Sequence, residues 1–480
     1  MGNEYLSDLR PRAAAGRVRE RNTHPLMPLL QMCGALAAVG VVVVLGVFRD
    51  GAILPAERPL LASGVLAVGL VWSLLWLALR RTPLADLLSD LSTSGRFALG
   101  GLALLSALAL LSALWSLAPV RSLWMGLVYA GGVVAFQAGR RLRTTSWFGL
   151  PALTVVLSAL GAAVSWISLV GYGLGWSQYV DTIESVSHAL GPFGYANALA
   201  SFVVLTLPAT GWIASCSNSG WLTRVVAAGG VAVELWALWL TYSRGAALGL
   251  ACAALLVVLL MTLQAIASVG DVSHRRLLFG GFAVSVVVVV LAAGLLMWPD
   301  VGPTASGGDV RHVTGTGQPG LAEAEIGQDM TTDLYRVGAW IAGMRAARER
   351  PVYGWGMDTF YEAYGPFKAG GHTRFAHNVI VQHAVELGLL GLAAFGVASI
   401  AAVILACQAV LGGSIRDPGV WLGMSVTAFL AHNLVDLTWY VPALFCLFWF
   451  CVGGVAGWRF THTGPGWPPK GGNHGEARRR

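Results

Sequence analysis

The sequence predicts an all-α fold: a polytopic transmembrane helical bundle of about twelve spans with one large polar loop. Three observations predict it. Hydrophobic residues make up 56% of the 480 residues and charged residues only 11%, against about 25% charged in an ordinary soluble protein. The apolar residues fall into runs near the ~20 residues that cross a bilayer. Nineteen Trp and 61 Gly fit membrane helices, where aromatics sit at interfaces and glycine lets helices approach closely.

The elements follow in order. Residues 1–26 form a polar tail with five Arg, longer than a signal peptide, so the first apolar run is expected to be retained. Nine spans fill 27–297, near 27–48, 59–79, 97–118, 122–139, 147–174, 195–215, 222–242, 245–263 and 277–297. Residues 298–376 form the large loop, far above ordinary loop length. Three more spans, near 379–411, 419–438 and 440–458, occupy 377–458, and 459–480 is a second basic tail.

The basic residues set the orientation. With both tails in the cytoplasm, 20 of the 31 Lys and Arg fall on the inner side, among them Arg96, Arg140, Arg224 and Arg416. Seven lie in the long loop, which the positive-inside rule does not count, and only Arg49, Arg58, Arg121 and Arg244 lie in short outer links. The charge of +7 is therefore read as facing anionic inner lipids, and no nucleic-acid partner is expected. The six Cys form no CxxC pair and no Cys/His cluster, and five sit in apolar stretches, so buried thiols are expected.

On the outer face the polar groups gather in five stretches. In "LTYSRGAALG", Arg244 lies between apolar runs with no acidic neighbour. It either snorkels to headgroups or clamps an anion, with Ser243 and free helix N–H groups beside it. In "TTDLYRVGAWIAGMRAARERPVYGWGMDTF", Thr332 or Asp333 caps a helix ending before Pro351. Arg336, Trp340 and Gly343 share one face of it, and Val337, Ile341 and Met344 another, so it either lies on the membrane or carries Arg336 to a site. Gly354 and Gly356 then suit a tight turn and close approach of a substrate. In "RFAHNVIVQHAVELGLLG", His377 and His383 are six apart, not the spacing of paired zinc ligands, whereas His383 and Glu386 share a face. His377 is either a capping or interface residue or a proton acceptor. In "AFLAHNLVDLTWYVP", His432 and Asp436 are i, i+4 near a span end: a structural pair or a functional one. In "HALGPFGYANALASF", Gly191, Pro192 and Gly194 break the chain before Asn197 opens a helix. No carboxylate cluster has metal-ligand spacing, so neither a metal nor a cofactor is expected.

In order, these pieces resemble the O-antigen ligase/polymerase family of bacterial membrane proteins. They are G-x-F-x-x-x-N-x-x-A (Gly191, Phe193, Asn197, Ala200), SRG (Ser243–Gly245), R-x-x-x-W (Arg336, Trp340), G-x-G-x-x-x-F (Gly354, Gly356, Phe360), and HN followed by E-L-G-L-L-G (His377, Asn378, Glu386–Gly391). The resemblance covers about Gly191–Pro442. It implies a fold like that of the C-type glycosyltransferases and a multi-pass protein of the bacterial cytoplasmic membrane. The implied activity is glycosyl transfer on the outer face, in cell-envelope polysaccharide synthesis. The implied donor is a glycan on polyprenyl (undecaprenyl) diphosphate, and the acceptor is a glycan, lipid or protein hydroxyl. On this basis Arg244 and Arg336 hold the pyrophosphate and His377 positions or deprotonates the acceptor. Asn197, Ser243, Trp340, Gly354, Gly356, Asn378, Glu386, His432 and Asp436 line the substrate. Many relatives carry an Arg shortly before the G-x-F loop. Here that place reads "SVSHALGPF", so His188 substitutes or the contact is absent. Two other readings stand beside this one: a transporter or flippase of lipid-linked sugars, and a non-catalytic membrane assembly partner.

Overall fold

The computed structural model describes residues 91–141, 150–183, 186–215, 220–268, 332–368 and 373–458. The spans expected near 27–48, 59–79 and 277–297, both tails and the first part of the large loop lie outside them. The described helices are α1 (Thr93–Leu111), α2 (Pro119–Arg141), α3 (Leu150–Gly173), α4 (Ala196–Ser215), α5 (Trp221–Leu240), α6 (Arg244–Ser268), α7 (Thr332–Glu349), α8 (Phe360–Tyr364), α9 (Val379–Glu386), α10 (Gly388–Gly412), α11 (Pro418–Asn433) and α12 (Pro442–Gly457). Among these, α1–α6 and α10 are long and apolar enough to cross a membrane.

Their caps follow the sequence. The Ser92 hydroxyl accepts from Gly95 N at the start of α1. Pro is the first residue of α2, α11 and α12, where its missing N–H costs nothing. Asn378 caps α9, its Oδ1 accepting from the Ile380 and Val381 amides at 2.9 and 3.0 Å.

Three expected spans are built differently. The apolar run 379–411 is not one helix. It breaks between α9 and α10, where Gly388 takes φ +63° and a Cβ there would meet the Val352 carbonyl carbon and oxygen at 2.5 Å. The runs near 419–438 and 440–458 become α11 and α12, of 16 residues each. The chain from 434 to 441 turns between them, with a short 3₁₀ turn at Thr438–Tyr440. The link expected at Trp439 is thus wider than the apolar pattern showed, because Leu, Trp and Val continue through it. The loop 175–194 also holds a small antiparallel hairpin, β1 (Val180–Ile183) with β2 (Val186–Ala189), Asp181 opposite His188.

Glycines let the helices touch backbone to backbone. A Cβ on Gly139 of α2 would collide with the Phe450 carbonyl of α12, and one on Gly453 with the Phe136 carbonyl of α2. Gly101 of α1 lies against Ala398 of α10 in the same way. Gly245 and Gly249, four apart on α6, face α11: a Cβ on Gly245 would lie 2.9 Å from His432 Cδ2, and one on Gly249 2.5 Å from the Ala428 carbonyl oxygen. Such small-residue seams replace the hydrophobic driving force that lipid cannot supply. Around them packs an aromatic core of Phe445, Phe448, Trp439 and Trp449.

The helices alternate direction, so two ends can be distinguished. At one end Arg140 meets Gly457 and Trp212 Nε1 donates to the Arg416 carbonyl at 2.8 Å. At the other end lie the start of α6, the 434–441 turn and α7–α9. Gly453→Leu is expected to force α2 and α12 apart and cost roughly 1–3 kcal/mol or more. A lower melting temperature of the purified protein checks this, and an unchanged one contradicts the close approach.

Candidate functional site

The turn between α11 and α12 is the meeting point. α11 ends at Asn433 and leaves peptide groups without helical partners. Side chains from other elements supply them. Arg336 Nη1 of α7 donates to the Val435 carbonyl at 3.1 Å. Asn378 Nδ2, at the head of α9, donates to the Leu434 carbonyl at 2.8 Å. Tyr195, just before α4, donates its hydroxyl to Asp436 Oδ1 at 3.4 Å, and accepts from Asn197 Nδ2 at 3.2 Å. Asn197 therefore lies one residue inside α4 and steadies Tyr195.

Charge is concentrated at the same turn. Asp436 Oδ2 is 3.9 Å from Arg336 Nη2 and 3.8 Å from His432 Nε2. The Asp436 side chain is 3% exposed and that of Arg336 26% exposed, so the carboxylate is enclosed while the Arg336 side chain stays partly accessible. His432 is fully buried. Its Nδ1 is hydrogen-bonded to Ser201 Oγ at 2.7 Å, and its Nε2 lies 3.4 Å from Ser243 Oγ.

Ser243 brings in Arg244. The α5–α6 link is a sharp turn in which Tyr242 takes φ +54°, and α6 starts at Arg244. Arg244 is exposed, at the end of a 25-residue helix whose first N–H groups favour an anion. Gly245 follows because His432 leaves no room for a Cβ. His188 of β2 packs on Tyr242, ring centroids 5.1 Å apart, and its Nδ1 is 3.3 Å from the Thr241 carbonyl. His188 thus stands beside the Arg244 turn. Its place before the G-x-F loop in sequence is also a place beside an Arg in space.

His377 is held from both sides. Trp340 Nε1 donates to the preceding Ala376 carbonyl at 2.7 Å, and Ala376 N donates to Gln382 Oε1 at 2.7 Å. The next residue, Asn378, is tied to Leu434. Between them His377 takes φ +48° and is 6% exposed. Backbone in this region costs of order 1–3 kcal/mol and persists only where neighbours impose it. Tyr242, Asp358 and His377 are the non-glycine residues of positive φ among the described ones. Tyr242 and His377 both border the Ser243–His432–Asp436–Arg336 group.

Glu386, Gly354 and Gly356 form a second, fully enclosed group. Glu386 Oε1 accepts from Thr359 N, Phe360 N and Gln382 Nε2 at 3.1, 3.2 and 2.7 Å, and Oε2 accepts from the Tyr440 hydroxyl at 2.6 Å. Burial, with Asp358 nearby, pushes its carboxyl up to about 7. Gly356 N donates to the Glu386 carbonyl at 2.8 Å, and a Cβ on Gly354 or Gly356 would collide with Glu386 or Ser116. In the structure these glycines closely approach other parts of the protein, the Glu386 backbone and Ser116. Gln382 links the two groups by bonding both Ala376 and Glu386.

His383, which shares the face of Glu386 in sequence, does not pair with it. Its Nδ1 donates to the Val379 carbonyl at 2.8 Å, so Nε2 accepts from the Tyr129 hydroxyl at 3.2 Å. Burial lowers its pKa to about 4, which keeps the ring neutral. Tyr195, Gln382 and Tyr440 carry no motif of their own. The one signal for them was position, inside or next to stretches already rich in polar residues. Among the described residues no group of three His, Cys, Asp or Glu side chains is placed to hold a metal ion.

A multi-helix membrane protein with its polar side chains collected at one end of the bundle is the class that these features define. Residues 229–396 match the family model described as O-antigen ligase. The match takes in Ser243, Arg244, Arg336, Trp340, Gly354, Gly356, His377, Asn378 and Glu386. It stops short of Asn197 on one side and of His432 and Asp436 on the other, which join the group through geometry. Comparison with curated proteins returns no match.

Glu386→Ala would strip four buried donors of their acceptor at once. It is expected to lower stability by about 3 kcal/mol or more, seen as a drop in melting temperature, while Glu386→Gln loses less. Equal stability of Glu386→Ala and the parent would contradict the hub.

Proposed function

We propose that the protein is a glycosyltransferase of the bacterial cytoplasmic membrane. It moves a glycan from polyprenyl (undecaprenyl) diphosphate to an acceptor hydroxyl, as an O-antigen ligase or polysaccharide polymerase does. The observation that carries the reading is the pair of arginines flanking one buried His432–Asp436 unit. Arg336 reaches it directly, and Arg244 is the residue after Ser243. The site lies at the end of the bundle opposite Arg140 and Arg416. Under the positive-inside rule that end is the outer face.

The chemistry follows from the residues. The leaving group is a lipid diphosphate whose negative charge grows as the bond from sugar C1 to phosphate oxygen breaks. Arg336 is oriented in advance, with one nitrogen on the Val435 carbonyl and its charge opposite Asp436, so little reorganisation accompanies the reaction. Arg244 and the first amides of α6 add a second positive pole. The acceptor oxygen attacks C1, and its proton passes to the imidazole of His377, which the flanking Ala376 and Asn378 contacts hold in place. The diphosphate departs with the bonding electrons. Nothing in this route calls for a metal ion or an organic cofactor. Asp436 and His432 act on Arg336 and Ser243, and Trp340 acts on the turn that presents His377.

Arg336→Ala and Arg244→Ala are each expected to lower transfer about 10²–10³-fold with normal membrane insertion. Arg→Lys at either place is expected to recover little, because the planar fork is lost. His377→Ala is expected to lower kcat more than it raises KM. The assay is purified protein with lipid-linked glycan and a panel of acceptors. Full activity of Arg336→Ala would remove the mechanism, and movement of donor across vesicles without a new glycosidic bond would assign transport instead.

A further inference from the structure

α7 has two unlike faces. One, with Ala339, Ala342, Ala346 and Ala347, is buried against α8 and α9. On the opposite side Val337, Ile341 and Met344 are 44, 53 and 43% exposed, and the exposed Arg345, Arg348 and Glu349 follow toward its end. Aliphatic side chains left exposed on a helix whose other face is already buried in protein form a surface suited to lipid.

The position of α7 agrees with that pattern. Its first half is tied through Arg336 to Val435, in the turn between α11 and α12. Just past its last turn, the Pro351 and Val352 carbonyls accept from Leu389 and Leu390 of α10 at 2.8 and 3.2 Å. Both anchors lie at the same end of the bundle, since α10 starts there, α11 ends there and α12 starts there. An 18-residue helix of about 27 Å tied at these two places runs across that end and not along the spans. Val352 is 50% exposed beside Leu389 and Leu390, themselves 62 and 50% exposed at the head of the membrane-crossing α10. The exposed apolar surface at the end of α7 is therefore continuous with a lipid-facing surface.

We propose that the Val337–Ile341–Met344 face of α7 rests in the outer boundary of the lipid bilayer, with Arg345 and Arg348 on anionic phosphate headgroups, and that this contact holds Arg336 at headgroup depth. The inference rests on the membrane reading of the spans and not on the reaction proposed above. The occupant is lipid and not a protein partner: the surface continues onto α10, and two of its three exposed charges are cationic.

The test uses the full chain, otherwise free of cysteine, in bilayer discs of phosphatidylethanolamine and phosphatidylglycerol. A nitroxide is placed at residue 341, at 344, or at the exposed Glu362 of α8 as a reference. Collisions with oxygen, which concentrates in lipid, are compared with collisions with a water-soluble nickel chelate. At 341 and 344 oxygen is expected to dominate, and at 362 the chelate. Chelate-dominated collisions at 341 and 344 would show a wet face and overturn the proposal. Protection from both reagents would show a protein cover and overturn it equally. A second arm needs no change on the apolar face. Arg345→Gln with Arg348→Gln is expected to move the 341 label measurably relative to the bilayer surface, and to do so only when phosphatidylglycerol is present. No movement would overturn the headgroup contact. Neither arm reads glycosyl transfer, so failure here leaves the proposed reaction standing, and failure of that reaction leaves this contact standing.

Discussion

The arrangement depends on how one break between two helices is closed. A peptide group with no partner is costly at membrane depth, so irregular backbone survives there only where other parts of the protein satisfy it. α11 stops at Asn433 and α12 starts at Pro442. The turn between them takes donors from Arg336 and Asn378, and gives Asp436 to Tyr195 and Arg336. One guanidinium therefore does two things: it completes the backbone of the turn, and it sets a fixed positive charge beside Asp436. Removing it disturbs both, so catalytic loss and local loosening are expected together at Arg336. At Arg244, which has no hydrogen bond or ion pair among the described residues, loss of charge can be read alone.

Much of the fold was legible in the sequence, because a membrane span needs only length and apolarity. Six of the expected runs between 97 and 263 are helices close to the expected bounds. The helix ending before Pro351 is there as well. The breaks were harder. Leu387 and Gly388 lead straight into a long apolar run, and the kink arises from the Val352 backbone, some 36 residues earlier, pressing on Gly388. The end of α11 was hidden in the same way, by Leu434, Val435 and Leu437. Tertiary contact sets both, and periodicity cannot report it. The hairpin at 180–189 is short and polar, and no alternation of four residues distinguishes it from a loop.

The site was legible residue by residue and not as a set of roles. The polar residues expected on one side lie at one end of the described bundle, and Ser243, Arg336, Asn378, His432 and Asp436 meet within one group. Glu386 and the two glycines at 354 and 356 meet one another in a separate buried group with Thr359, Gln382 and Tyr440, an arrangement that spacing alone could not separate from contact with a ligand. The i, i+3 relation of His383 to Glu386 does not make them a pair, since the His383 ring turns to Tyr129 and Val379. Strain adds a signal that no sequence pattern carries. Tyr242 and His377 hold left-handed backbone on either side of the same group, and such conformations collect where a side chain must be presented in one direction.

The central claim is that Arg244 and Arg336 grip one diphosphate together. Affinity for undecaprenyl diphosphate, measured by titration of the purified protein and of Arg244→Ala, Arg336→Ala and the double variant, tests it most directly. Each single variant should bind at least about tenfold more weakly, as expected for loss of a charge-assisted contact. The double variant should lose less than the two losses combined, because the arginines share a ligand. Unchanged affinity in either single variant, or strictly additive losses, would contradict the shared grip.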